Sequence, residues 1–272
     1  MTQLKEDLDY AIDLARGAGD IVRSHYGKVA RLTKRHAEAV TEADRASQRY
    51  IVAGLRNRFP TDGLVGEENE SGDAITFEVR DPMGRNWVID PIDGTNNFIC
   101  GLGNFAVCIG LLDKGMPVLG VVYDVTRDAM YFASLGNGCW LGKKQLHVLE
   151  TDLSDSAMIM MTSNLLDATG KAPAYAARWI AQTTWKVRIL GTAAIEAAMV
   201  AAGVAHGSVT VNGKLWDAVA PCALVLEAGG KVTDLKGRPI FPFDLAGYSG
   251  AKVPFLAAAP AAQERLLAEI AT

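Results

Sequence analysis

Apolar residues recur at steps of three and four along the first part of the chain, which is the spacing of one helical face. They predict an amphipathic helix over 3–26 that ends at Gly27. A second helix is predicted from Thr41 to Phe59, because Thr41 can cap its first turn and Pro60 cannot continue it. The chain is therefore expected to begin with two helices.

The pattern changes period in the middle of the chain. Runs rich in β-branched and aromatic residues are separated by turn material, which predicts a meander of antiparallel strands. The runs are NWVID (86–90), NFAVCIGLLD (104–113), MPVLGVVYDV (116–125) and AMYFASL (129–135).

Strand-like and helix-like segments alternate after about residue 150, which favours a sheet covered by helices. The predicted strands are SAMIMMTS (156–163), WKVRIL (185–190), HGSVTV (206–211) and KVTDL (231–235). The predicted helices are 172–183, GTAAIEAAMVAAG (191–203), LWDAVAPCALVLEAGG (215–230) and PAAQERLLAEIA (260–271). We accordingly divide the chain into an N-terminal α+β part over 1–150 and a C-terminal α/β part over 151–272.

Composition narrows the class of protein. The 272 residues are 49% hydrophobic and 21% charged with a net charge of -4, which predicts a soluble globular protein with no nucleic-acid partner. We find no secretory signal and no apolar run of about 20 residues that would span a membrane. The four cysteines lack CxxC pairing and metal-ligand spacing, which is typical of reduced thiols in the cytoplasm.

Candidate chemistry begins at WVIDPIDGTNNF (87–98), where Asp90 and Asp93 follow an apolar strand. Pro91 cannot donate a ladder hydrogen bond and is expected to end the strand. Gly94 permits a tight backbone and Thr95 can start a helix, whose first N–H groups have no intrahelical partner and suit a phosphate. Taken alone, the two aspartates are more typical of an Asx turn than of a metal site.

Two further acidic stretches change that balance. In GLVGEENE (63–70), Glu67 and Glu68 follow a short apolar run, although alone they indicate a solvated loop. In KLWDAVAP (214–221), Asp217 lies at the start of an apolar helix, where alone it indicates a capping residue. Carboxylates brought together raise one another's pKa values unless a cation neutralises them, and Mg²⁺ prefers such oxygen ligands. A pair of Mg²⁺ ions could activate a water against a phosphate ester.

The chain resembles the inositol monophosphatase family of Mg²⁺-dependent, lithium-sensitive phosphatases, whose superfamily includes fructose-1,6-bisphosphatase. The resemblance lies in GEE (66–68), WVIDPIDGTNNF and LWDAVAP (215–221), which match in order and spacing, and it extends over nearly the whole chain. It implies an α/β (α+β) fold, a layered αβαβα sandwich of the sugar phosphatase or inositol monophosphatase type, and a homodimer. It also implies a hydrolase acting on a small-molecule phosphate ester.

The resemblance implies roles for matching positions. Two or three Mg²⁺ ions would be held by the carboxylates of Glu67, Asp90, Asp93 and Asp217 and by the backbone carbonyl of Ile92. The substrate would be contacted by Asp93, Gly94, Thr95, Gly191, Thr192, Ala193 and Asp217. The Thr95 hydroxyl, polarised by Asp44 of VTEAD (40–44), would orient the attacking water together with Glu67. Glu68 would support either the metal ligands or the loop.

The sequence departs from the family pattern in three places. Glu38-Ala39 changes the segment before VTEAD, and the loop after Glu68 is slightly longer. Thr210 replaces the glutamate that, six residues before the tryptophan, bonds inositol hydroxyls in animal-type members, and its neutral side chain cannot make the same charge-assisted bonds.

Those departures leave the metal-ligand positions unchanged, but they leave the identity of the substrate open. Inositol 1-phosphate is the first substrate to test, with histidinol phosphate and fructose 1,6-bisphosphate as alternatives and 3'-phosphoadenosine 5'-phosphate the least favoured. A non-catalytic regulatory or RNA-linked binding protein is the alternative from another class. The complete set of metal-ligand positions favours the enzyme.

Overall fold

The computed structural model describes residues 2–28, 32–33, 39–68, 75–163, 165–166 and 170–272. Glu38 and most of the longer loop after Glu68 lie outside the described residues, whereas Ala39 is described. The described helices are α1 (Thr2–His25), α2 (Glu42–Arg58), α3 (Thr95–Ile99), α4 (Ala174–Ala181), α5 (Ala193–Ala201), α6 (Leu215–Glu227) and α7 (Pro260–Ala271). None of these is both long and apolar enough to cross a membrane.

The described strands form three sheets. They are β1 (Leu32–Thr33), β2 (Ala39–Val40), β3 (Gly63–Gly66), β4 (Thr76–Glu78), β5 (Asn86–Asp93), β6 (Ala106–Asp113), β7 (Met116–Asp124), β8 (Ala129–Ser134), β9 (Cys139–Leu141), β10 (Lys144–Leu146), β11 (Met158–Met161), β12 (Lys186–Arg188), β13 (Gly207–Thr210), β14 (Lys231–Thr233) and β15 (Phe255–Ala258). The largest sheet has the order β10-β9-β8-β7-β6-β5-β3-β4.

The predicted meander is confirmed within this sheet. Strands β5 to β8 pair antiparallel with their neighbours in chain order, while β3 pairs parallel with β5. β5 is buried along its whole length, and β6 and β7 nearly so. This explains why their sequences are almost continuously apolar rather than alternating.

The smaller sheet has the order β12-β11-β13-β15-β14. Strands β11, β12 and β13 run parallel, so their carboxyl ends meet at one edge. The pattern predicts these three strands and β14 but not β15, which lies in the alanine-rich run FLAA between Pro254 and Pro260. Alanine is depleted in strands, and only the burial of this segment between β13 and β14 makes it one.

Five layers stack in the order helix, sheet, helix, sheet, helix. α1 and α2 pack on one face of the large sheet, and α6 packs on its other face against β6 and β7. α5 and α6 also contact the smaller sheet, whose far face is covered by α4 and α7. The predicted αβαβα sandwich is confirmed; the division of the chain at residue 150 stays a prediction.

α2 shows how the local sequence sets an element that serves the site. Its first turn is fixed by a capping box, in which the Thr41 side chain accepts a hydrogen bond from the N–H of Ala43 at 3.1 Å. The N–H of Thr41 donates back to the Asp44 carboxylate at 2.7 Å. Both side chains are fully buried, so the start of α2 holds Asp44 in a single orientation.

Candidate active site

The end of β5 departs from the predicted geometry. Pro91 was predicted to end the strand, but β5 continues to Asp93, and its pairing with β6 is irregular between Asp90 and Asp93. Pro91 falls inside this bulge, where a missing N–H costs no ladder bond. In a regular strand, residues three apart face opposite sides. The bulge therefore allows both aspartates to join one cluster.

Three aspartates come together at this point. One carboxylate oxygen from each of Asp90, Asp93 and Asp217 lies within 4.8 Å of the others. Asp217 is in the first turn of α6, where its carboxylate also accepts the N–H of Lys214 at 2.6 Å. The sequence offered capping or metal binding as alternatives for Asp217, and its position is compatible with both.

The electrostatics of the cluster call for a cation. Burial is the main cause that raises the pKa of Asp93 to about 6 and that of Asp217 to about 8, and neighbouring carboxylates contribute. Burial also raises the pKa of Asp90 well above its usual value, with Glu67 as the next cause. Oxygen-only donors in mutual repulsion are the set that a hard divalent ion such as Mg²⁺ neutralises.

This cluster makes metal-free stability depend on pH. Because of the raised pKa values, the folded protein binds more protons than the unfolded chain. The contribution of these protons to the free energy of unfolding is complete below about pH 4. It is lost as pH rises through the pKa values of about 6 for Asp93 and about 8 for Asp217. We expect the metal-free Tm to fall over this range and Mg²⁺ to raise it more at about pH 8 than at about pH 5. Thermal unfolding at both pH values checks this, and an equal Mg²⁺ effect would contradict it.

Gly94 and Thr95 form the turn that follows β5. Gly94 has a φ of +93°, and a Cβ there would lie 2.9 Å from the carbonyl oxygen of Asn104, so only glycine fits without strain. The Thr95 hydroxyl lies 3.3 Å from the Asp44 carboxylate and 3.0 Å from the Ile92 carbonyl oxygen, and it can donate to either. The predicted Thr95–Asp44 pair is therefore in contact.

A second turn, Leu190–Ala194, faces the end of β5. The Thr192 hydroxyl donates to the Asp93 carboxylate, and the Ala194 N–H donates to the same oxygen at 2.7 Å. The Asn97 side chain of α3 donates to the carbonyl of Leu190 at 2.8 Å. The turn that contains Gly191, Thr192 and Ala193 is thus bonded to the acidic cluster through Thr192 and Ala194.

These elements enclose a polar cavity of about 330 Å³. It is lined by Glu67, Asp93, Gly94, Thr95, Asn96, Thr162, Ser163, Gly191, Thr192, Ala193, Thr210, Asn212, Gly213 and Asp217. Asp44, Asp90 and Ile92 lie behind this wall, and Glu68 is fully buried with its N–H donating to Gln48. The sequence thus predicts most of the floor of the cavity, although the metal and substrate roles of these residues stay predictions.

Sequence reasoning missed one wall of the cavity. Thr162 and Ser163 follow β11, and Asn212 and Gly213 follow β13. Polar residues after the carboxyl ends of adjacent parallel strands are typical of ligand sites in α/β sheets. That signal was present in MIMMTS and SVTVNG, but the pairing of the two strands was not known.

A buried carboxylate cluster that needs a cation, open to a polar cavity of this size, indicates a metal-dependent site for a small polar ligand on a layered α/β fold. Residues 3–272 match the model of the inositol monophosphatase family. The chain belongs to that family.

Individual relatives agree with this assignment. The chain is 36% identical over 235 residues to a fructose-1,6-bisphosphatase/inositol-1-monophosphatase of Thermotoga maritima, covering 85% of this chain and 86% of that protein. It is 32% identical to a Nus factor SuhB of Pasteurella multocida, with 85% of each covered. A solved structure of an IMPase from Thermotoga maritima superposes with a TM-score of 0.83 at 32% identity, covering 98% of this chain and 97% of that one.

Proposed function

We propose that this protein is a Mg²⁺-dependent phosphomonoesterase that hydrolyses a small soluble phosphate ester by direct attack of water. The observation that carries the proposal is the meeting of Asp90, Asp93 and Asp217 within 4.8 Å beside a polar cavity that Asp93 and Asp217 line. No cysteine or histidine lies among the described residues that line this cavity, so none of these residues offers a side-chain nucleophile of either type.

Each residue of the site has a distinct role in the proposed reaction. Glu67, Asp90, Asp93, Asp217 and the Ile92 carbonyl would hold two or three Mg²⁺ ions, which supply Lewis acidity and a more acidic bound water. The N–H groups of Gly94 and Thr95 would bind the phosphate, because N–H groups at the start of a helix have no intrahelical partner. The Thr95 hydroxyl accepts a hydrogen bond from the attacking water while it donates to Asp44.

Initial rates on a panel of phosphate esters, with Mg²⁺ varied, test this function. The panel contains inositol 1-phosphate, histidinol phosphate, fructose 1,6-bisphosphate and 3'-phosphoadenosine 5'-phosphate. We expect phosphate release that requires Mg²⁺ and is fastest with a monophosphate. A purified, folded protein that releases no phosphate from any ester would refute the proposal.

The cavity lining disfavours a leaving group that carries a second phosphate. None of the described lining residues is basic, so a second phosphate group would meet no cation there. The Thr210 side chain is fully buried, and its hydroxyl has no hydrogen-bond partner among the described residues. Thr210 lines the cavity, so a rotation of its side chain would present this unpaired hydroxyl to a substrate hydroxyl. Inositol 1-phosphate, which carries hydroxyls and no second phosphate, stays the first candidate to test.

Replacing Thr210 with alanine is therefore expected to weaken binding of a polyol substrate selectively. Loss of one neutral hydrogen bond is worth about 1 kcal/mol, or roughly a fivefold rise in KM for inositol 1-phosphate. The KM for p-nitrophenyl phosphate, which has no hydroxyl on its leaving group, serves as the control and should not change. An equal rise for both substrates would place the effect on the phosphate instead.

A regulatory role is the second candidate, because one relative carries the name Nus factor SuhB. This makes the expected absence of a nucleic-acid partner a point to test. Binding of the purified chain to RNA at about 0.15 M salt would support the regulatory role, whereas binding only at low salt would indicate nonspecific contact.

The homodimer is a further expectation drawn from the family resemblance, and the cytoplasmic location is one drawn from the cysteine pattern and the lack of a secretory signal. Sedimentation of the purified chain would test the first, and fractionation of the source cells the second. A monomer at micromolar concentration would remove the dimer from this proposal.

A further inference from the structure

Glu196 is a buried acid that the proposed mechanism does not use. It lies in the first turn of α5 and is fully inaccessible to solvent. Its Oε1 accepts the N–H of Leu190 at 2.7 Å and the N–H of Gly191 at 3.2 Å. Its Oε2 is also buried and has no partner among the described residues. Burying a carboxyl group costs free energy that hydrogen bonds must offset, and one oxygen of Glu196 has no such bond among the described residues.

The turn that Glu196 holds is the one that contacts Asp93. In the first half of the turn, two backbone N–H groups donate to Glu196. In the second half, Thr192 and Ala194 donate to Asp93. The two acids thus hold opposite ends of one short segment. Gly191 within it has a φ of +76°, a left-handed conformation that glycine adopts freely and other residues rarely adopt.

We propose that Glu196 is a positioning residue for the active site. It fixes the Leu190–Ala194 turn, and that turn orients the Asp93 carboxylate and the cavity wall at Gly191–Ala193. This inference rests on the proposed function, because it gives Asp93 the role of metal ligand. Glu196 itself contacts neither the cavity nor the acidic cluster.

A purely local role as a helix cap is the competing explanation. Glutamate in the first turn of a helix stabilises that helix through its N–H groups and its dipole. A cap, however, would affect only the stability of α5. A positioning residue would also change metal binding and kcat, and these readouts separate the two explanations.

The test compares Glu196→Ala and Glu196→Gln with the control Val200→Ala. Glu196→Ala removes the acceptor, whereas Glu196→Gln keeps an amide oxygen at the same place. Burial raises the pKa of Glu196 to about 8, so the neutral amide resembles the form that predominates at pH 7. Val200 is fully buried one turn further along α5, and its apolar side chain makes no hydrogen bond to the turn, so Val200→Ala weakens α5 and leaves the hydrogen bonds of the turn in place. The readouts are kcat, KM and the rise in Tm caused by MgCl₂.

We expect Glu196→Ala to lower kcat by about 100-fold, the order of loss that misplaced catalytic groups produce, and to reduce the MgCl₂-induced rise in Tm. Glu196→Gln should retain most of both, and Val200→Ala should lower Tm while retaining kcat and the response to MgCl₂. The proposal fails if Glu196→Ala keeps wild-type kcat or behaves like Val200→Ala. It also fails if Glu196→Gln loses as much kcat as Glu196→Ala.

Two further arms keep the test decisive. If Glu196→Ala does not fold, Glu196→Asp replaces it, because the shorter side chain cannot reach both N–H groups and should lower kcat; unchanged kcat would overturn the proposal. If the wild-type protein hydrolyses no ester, the proposed function fails, but the MgCl₂-induced rise in Tm still reports on Asp93. Loss of that rise in Glu196→Ala alone would support the positioning role, and its retention would overturn it.

Discussion

Replacement of Asp93 with asparagine is expected to lower kcat by at least about 100-fold, since even residues that only support metal ligands cost 10- to 100-fold. The change keeps the size of the side chain but removes a charge from the cluster with Asp90 and Asp217. Burial already raises the pKa of Asp93 to about 6, so the loss of this charge relieves repulsion in the metal-free protein. We therefore expect the metal-free Tm to stay near the wild-type value while the MgCl₂-induced rise in Tm is lost.

The matched control is Asp62→Asn. Asp62 is a nearly buried aspartate whose carboxylate accepts hydrogen bonds from Arg85 and Trp87, at the far end of β5 from Asp93. Trp87 and Asp93 are six residue steps apart along the strand, or about 20 Å. This control should lower Tm and leave kcat and the MgCl₂ response intact. Near-normal kcat in Asp93→Asn would show that the metal assignment is wrong.

Much of the site could be predicted because its residues lie in short contiguous motifs. Asp90 to Thr95 lie at the end of one strand and in the turn after it. The local sequence accounts for this: an apolar run precedes them, Gly94 has a positive φ, and Thr95 starts a helix. Asp217 is similarly placed by the first turn of α6. Local pattern is informative wherever backbone geometry and chemistry demand the same residue.

What could not be predicted depends on contacts between distant segments. The bulge at Pro91 is visible only in the pairing of β5 with β6, and it is this bulge that lets Asp90 and Asp93 join one cluster. Glu196 appeared in the sequence as one polar residue of an apolar helix, and its role emerges only from the 190–194 turn folding back on it. β15 likewise forms a strand because it pairs with β13 and β14, and not because its alanines favour strands.

The second large effect is expected from Thr95→Val, which keeps the shape of the side chain and removes its hydroxyl. The hydroxyl lies 3.3 Å from the carboxylate of Asp44, a buried acid whose pKa is raised to about 6 mainly by its burial. Without this hydroxyl, the attacking water loses the acceptor that orients it and Asp44 loses a donor. Because positioned proton-transfer groups contribute about 10²- to 10⁴-fold, we expect kcat to fall by at least about 100-fold with little change in KM.

Two companion variants separate the hydroxyl from other effects. Thr95→Ser keeps the hydroxyl and should retain most of kcat, whereas a serine variant as inactive as the valine variant would show that the methyl group's packing matters instead. Thr126→Val removes a threonine hydroxyl that donates to Asp124 at 2.9 Å outside the cavity lining, and it should leave kcat unchanged. If Thr95→Val keeps wild-type kcat, the water is oriented by other groups, and Glu67 becomes the residue to replace next, because it lines the same cavity and its charge contributes to the raised pKa of Asp44.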